Sequence, residues 1–279
     1  MLPFKPPPLP ALQTFPKRSN SLPSISPISV PSSLSSLPFS HRNHGSISST
    51  TTPVLLAYPL SQRTVQGLEP HMGTNCVGPY LLTSLLSDIL VRTSAASDTA
   101  PNSVRVIWSS SLLVDTSAPS EGVPPDNLEN PSEDAIRDYT ISKTGNWFLA
   151  NRFAKRFNPA SVGTSDSSAS EKRVVSITAN PATVRTGIYD NAPRLDIWLT
   201  MPFFATVRDG AHTLLWAGCS KDITVRDGGR YVIPVGQWHP KIREAICLHA
   251  MTERNNSLDA TNYAKGLEER AEKLTRKFQ

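Results

Sequence analysis

Past about residue 53 the spacing of apolar side chains switches repeatedly between contiguous β-branched runs and helical repeats, and each switch predicts a new element. Runs at 54–57, 104–108, 174–178 and 231–235 predict buried strands. Apolar residues at helical spacing predict helices over about 67–90, 132–157 and 209–217. Strands alternating with amphipathic helices predict an α/β fold with a parallel sheet. The Pro- and Gly-bearing stretch 115–131 reads as a loop, and residues 251–279 read as a charged, solvated helix with a thin apolar stripe.

Ahead of residue 53 the chain is dense in Pro and Ser, as in Pro6-Pro7-Pro8 and the run 32–36. Such a segment cannot bury enough apolar surface to offset chain entropy, so residues 1–52 read as a disordered leader to a domain over 53–250. The leader has no Asp or Glu, and its Lys5, Lys17, Arg18 and Arg42 account for all but one of the net +5 charges. Basicity therefore belongs to the leader. No basic stripe with interleaved aromatics follows it, which removes nucleic acid from the expected partners. Acid-poor, Ser-rich and basic composition fits an organelle transit peptide, although the prolines oppose an amphipathic helix. Pro6-Pro7-Pro8 with Pro10 also suits a proline-rich ligand for SH3-like domains. The preferred reading is that an unrelated stretch stands where the first part of the domain belongs, as in a truncated or misassembled product.

Cys76, Cys219 and Cys247 lack Cys-x-x-Cys spacing and leave an odd one, which reads as free buried thiols in a reducing compartment. A cytoplasmic location follows, with an organellar one as the alternative if the leader is a targeting signal. His71, His212, His239 and His249 are scattered without metal-ligand spacing, so no metal is expected. No apolar run reaches the ~20 residues that span a bilayer.

The chemistry lies in three ordered elements. Tyr139 and Lys143 stand four residues apart in a predicted helix and so share a face. A free phenol titrates near ~10, too high for efficient proton transfer at neutral pH, and an adjacent ammonium lowers that value. Upstream, a β-branched strand ends in Ser109-Ser110-Ser111, and Ser111 is placed to hydrogen-bond the oxygen that Tyr139 protonates. Further upstream, Asn75-Cys76-Val77-Gly78 opens a helix, where Asn75 is either a site residue or a helix cap.

These elements resemble, in the same order, the short-chain dehydrogenases/reductases. The stretch from Gly73 to Thr83 is similar to the family's fourth-helix motif, 105–111 to its serine strand and 139–143 to its active-site helix. Asn180-Pro181-Ala182-Thr183-Val184-Arg185-Thr186 resembles the family's Pro-Gly-x-x-x-Thr turn, and 229–234 a C-terminal strand of fungal members akin to retinol dehydrogenases. The likeness covers roughly residues 64–240.

The resemblance implies a tetrad in which Tyr139 is the general acid/base, Lys143 lowers its pKa and holds the nicotinamide ribose, Ser111 orients the substrate oxygen and Asn75 holds a relay water. Ser110 is the alternative serine. Pro181 and Val184 are implied beside the nicotinamide and Thr186 beside the phosphates, with Ala182 where the family has glycine. The family's Gly-rich turn for the pyrophosphate has no counterpart, since residues 1–66 hold only Gly45, and the Asn-Asn-Ala-Gly strand end is also absent. The implied fold is therefore an incomplete Rossmann-like sheet, lacking the first strands.

The implied function is NAD(P)-dependent interconversion of a carbonyl and a secondary alcohol, with NADP preferred and NAD the alternative, in fungal secondary metabolism. The small-molecule substrate is expected to be lipophilic, because Ile188, Tyr189, Leu195, Ile197, Trp198, Leu199, Met201, Phe203 and Phe204 stand where relatives carry a substrate lid. Packing of that cluster into the core is the other reading. A homo-oligomer through the helices bearing Asn75 and Tyr139 is also implied. The alternative function is an inactive member of the family that acts only by binding.

Overall fold

The computed structural model describes residues 48–51, 55–56, 58–59, 61–124, 126–128, 130–158, 173–184, 204–251 and 263–279. The chain divides into two units, Met1–Phe39 and Ser40–Gln279, and every described residue lies in the second. Thr186, the aromatic cluster 188–203 and nearly all of the leader lie outside the described residues.

Among the described residues a sheet of five strands, β1 (Ser48–Thr51), β2 (Arg105–Ser109), β3 (Val175–Ala179), β4 (Tyr231–Ile233) and β5 (Gln237–Trp238), runs in that order. The first four pair in parallel, and β5 returns antiparallel to β4. Every residue of β2 and β3 is buried, as parallel strands covered on both faces require.

Alternation along the strands divides the core. Val106 and Trp108 face one cluster, built with helices α2 (Gly78–Ala95), α4 (Ala135–Phe157), α6 (Glu244–Met251) and α7 (Tyr263–Thr275). Ile107, Val175, Ile177 and Val232 face the other, under α5 (Val207–Cys219), where Arg105 donates to the carbonyls of Ala217 in the last turn and of Ser220 and Ile223 past the helix end. Two short helices, α1 (Pro70–Met72) and α3 (Leu113–Ser117), complete the α-helices among the described residues.

Several expectations shift. The first strand comes earlier than 54–57, at Ser48–Thr51, inside the segment read as a leader. The cause is visible at Leu55, whose N–H and C=O both bond the Asn75 side chain, at 2.8 and 3.0 Å, instead of a neighbouring strand. Strand β4 stops at Ile233 because Val235 and Gly236 both turn with φ 70° into β5. The loop at 115–131 begins inside α3. Of the cysteines only Cys76 is buried, Cys247 is partly so and Cys219 is exposed; all three are unpaired.

The charged C-terminal helix is docked rather than solvated. Ala264, Leu267 and Ala271 of α7 are buried, and Glu268 binds both Arg152 and Arg156 of α4, at 2.5 and 2.6 Å. Glu268→Ala leaves two guanidinium groups without their carboxylate in a half-covered site. We expect it to cost about 1–2 kcal/mol, read as a lower urea midpoint with an unchanged m-value.

Among the described residues no helix is long and apolar enough to cross a membrane, and no group of three His, Cys, Asp or Glu side chains could hold a metal.

Candidate active site

Helix α4 starts where Asp134 caps it, accepting from the N–H groups of Ile136 and Arg137. From there Tyr139, Ser142, Lys143 and Asn146 recur at helical spacing and form one face, all buried, against the end of β2. Asn146 Nδ2 donates to the Ser109 carbonyl at 2.7 Å, and Lys143 Nζ lies 3.4 Å from the same oxygen.

Lys143 Nζ is 5.7 Å from the centroid of the Tyr139 ring, so the two residues expected to work as a pair are neighbours. Burial pulls the Lys143 ammonium down to about 7, with the Cys76 thiol opposing the shift. Burial in turn pushes Cys76 up to about 12, with Lys143 acting against it. Near neutral pH the lysine therefore exchanges protons readily, and the neighbouring thiol stays protonated. The Tyr139 ring is 7% exposed and meets the edge of His71, centroids 6.2 Å apart. His71 Nε2 accepts from the Tyr58 N–H, so the ring proton sits on Nδ1 and is donated to Glu69 at 2.6 Å.

The two candidate serines separate. Ser110 is buried, and its Oγ donates to the Lys143 carbonyl at 3.0 Å. Ser111 is half-buried; its Oγ accepts from the Leu113 N–H at 3.3 Å and can still donate. Ser110 thus anchors the turn to α4, while Ser111 keeps a hydroxyl proton for another partner.

Asn75 sits inside a π-helical turn, Gly73–Val77, between α1 and α2. Helix α1 is itself capped by Glu69, so Asn75 is not a helix cap. Besides Leu55, its amide donates to Ser142 Oγ at 3.1 Å, and that hydroxyl donates to the Tyr139 carbonyl at 2.6 Å. These bonds fasten the segment after β1 to α4 next to Tyr139. Wide turns of this type are frequent at functional sites.

After β3 the chain turns at Asn180, whose Oδ1 accepts from the Ala182 N–H at 3.0 Å. Ala182 has φ 74°, so the backbone takes the left-handed conformation natural to glycine and carries a methyl group there at a cost of about 1 kcal/mol. Pro181 and Val184 are half-buried and lean on α5 at Gly210, where an added Cβ would come within 2.6 Å of Val184 Cγ2 and 2.9 Å of the Pro181 carbonyl. Of the residues expected to meet a cofactor, Tyr139 and Lys143 adjoin each other and Pro181 and Val184 line the next strand end.

The turn after β2, the turn after β3 and the Leu55 segment after β1 all leave the C-terminal ends of adjacent parallel strands, the usual place for a ligand in an open α/β sheet. No family model matches the chain. Curated relatives do. It is 35% identical over 191 residues to the short-chain dehydrogenase/reductase iacJ of Pestalotiopsis fici, covering 68% of this chain and 54% of that protein. A second, bet4 of Neocamarosporium betae, is 29% identical over 71% of this chain and 54% of its own length.

The chain belongs to the short-chain dehydrogenases/reductases. It spans about half the length of the curated relatives it matches. An uncharacterized protein from Mycobacterium paratuberculosis, 20% identical, shares the fold with a TM-score of 0.52 over 84% of this chain and 69% of that one.

The family implies a nicotinamide cofactor, and the residues present fit one end of it. Among the described residues Lys143 makes one bond, of 3.4 Å, with three donors to use, which leaves donor capacity for a ribose hydroxyl, and Ala182 takes the left-handed conformation natural to glycine. The pyrophosphate end has no matching Gly-rich turn in the sequence. Ser142 and Asn146 were not foreseen as parts of the site. Both carry a readable signal, helical spacing from Tyr139 and Lys143.

Proposed function

We propose that the chain is an oxidoreductase interconverting a carbonyl and a secondary alcohol on a small, lipophilic substrate, with NADP preferred over NAD. The observation that supports this most directly is Lys143 Nζ lying 5.7 Å from the Tyr139 ring, both buried beside the serine turn. The cofactor, when bound, supplies or accepts the hydride. Tyr139 gives the proton to the nascent alkoxide, Ser111 donates a hydrogen bond to the same oxygen, and Lys143 favours the ionised phenol once the proton has left. Asn75 acts at one remove, through Leu55 and Ser142. Thr186, and Trp198 with its neighbours, complete the reading as phosphate contact and substrate lid.

Titrating the purified chain with NADPH and with NADH, followed by a medium-chain ketone, tests this. We expect binding tighter than about 1 mM, stronger for NADPH, with loss of the reduced nicotinamide once the ketone is added. A folded sample that binds neither nucleotide would support the inactive reading.

A further inference from the structure

We propose that Tyr231, on β4, is a positioning residue that holds the serine turn in its working register, as the centre of a clamp built from the C-terminal hairpin. The inference rests on the oxidoreductase reading in assigning Ser111 a catalytic role.

Tyr231 is 2% exposed, and its hydroxyl donates to the Ser111 carbonyl at 2.8 Å across 120 positions of sequence. Its ring is held at right angles between Trp147 of α4 and His239, with centroids 6.4 and 5.6 Å away. Trp147 also donates its indole N–H to the Gly229 carbonyl at 3.0 Å, which ties the start of β4 to the helix that carries Tyr139 and Lys143.

A second point of the clamp lies just beyond β5. His239 Nδ1 accepts from the Lys241 N–H at 3.2 Å, which leaves Nε2 to donate to Asp115 Oδ1 at 3.0 Å on α3. Arg243 follows, donating to the Ala118 carbonyl. Three side chains of one short stretch therefore grip residues 111–118 at successive points. A buried phenol needs only some acceptor. This one is spent on the residue whose hydroxyl must meet the substrate, and its backbone is fixed to the helix bearing the proton donor. The hairpin thereby sets the distance between the two catalytic elements.

Tyr231→Phe removes only the hydroxyl. We expect kcat to fall about 10-fold with KM changed less than about 2-fold. In a Ser111→Ala background the same change should alter kcat less than about 2-fold, because there is no hydroxyl left to misplace. Independently of turnover, amides of 113–118 should exchange hydrogen about 10-fold faster in Tyr231→Phe and in His239→Gln than in the unaltered chain. Losses that simply add in the two backgrounds, or unchanged exchange, would overturn the proposal. Faster exchange in a chain that converts no carbonyl would overturn the oxidoreductase reading and leave the clamp as a purely structural device.

Discussion

Tyr139→Phe is expected to lower kcat/KM for carbonyl reduction by about 10³-fold, within the range of a lost general acid, while the fold persists. The ring stays packed against His71, and only the hydroxyl is removed, so stability should move by no more than about 1 kcal/mol. Nucleotide affinity should change less than turnover, because the variant removes a group whose main work is done in the transition state. Initial rates of NADPH oxidation with thermal melts of both proteins make the measurement. Retention of more than a tenth of the activity in a folded variant would mean that another group delivers the proton.

Lys143→Met should combine lost turnover with a more stable protein. The amine is 1% exposed and its pKa falls from 10.5 to about 7. Between those values the unfolded chain holds a proton that the folded chain has released, so this group makes stability rise as pH increases from 7 toward 10.5. At and below pH 7 the folded protein bears the whole cost of a buried ammonium. Methionine removes that cost, and we expect a gain of about 1–4 kcal/mol at pH 6–7, shrinking as pH rises. Cys76, held up to about 12, adds an opposite slope above pH 9, so urea titrations between pH 6 and 8.5 isolate the lysine. A variant no more stable than its parent at pH 6 would show that the amine is solvated in the folded chain.

The parts of this molecule that carry a local pattern were legible in the sequence. Strands β2 and β3 fall within a residue of the apolar runs at 104–108 and 174–178, and α4 within three residues of its expected start. The pairing of Tyr139 with Lys143 follows from helical spacing alone. Strand β1 escaped because Ser48-Ser49-Thr50-Thr51 joins the sheet through its backbone, which no hydrophobic pattern registers. Asn75 was recognised as a site residue, but its work on Leu55 depends on a fold that brings together residues 20 apart. Tyr231 gave no signal, since its partner is 120 positions away. The thin stripe of α7 looked too weak to dock, and two arginines of α4 supply what its apolar side chains lack.

The grip of α7 on α4 also dictates an order of events during synthesis. Glu268 meets Arg152 only after more than a hundred further residues have been made, so the helix bearing Tyr139 and Lys143 leaves the ribosome without its outer support. Until that late segment emerges, α4 has its apolar flank bare, and nascent chains are most open to chaperones and proteases at that stage.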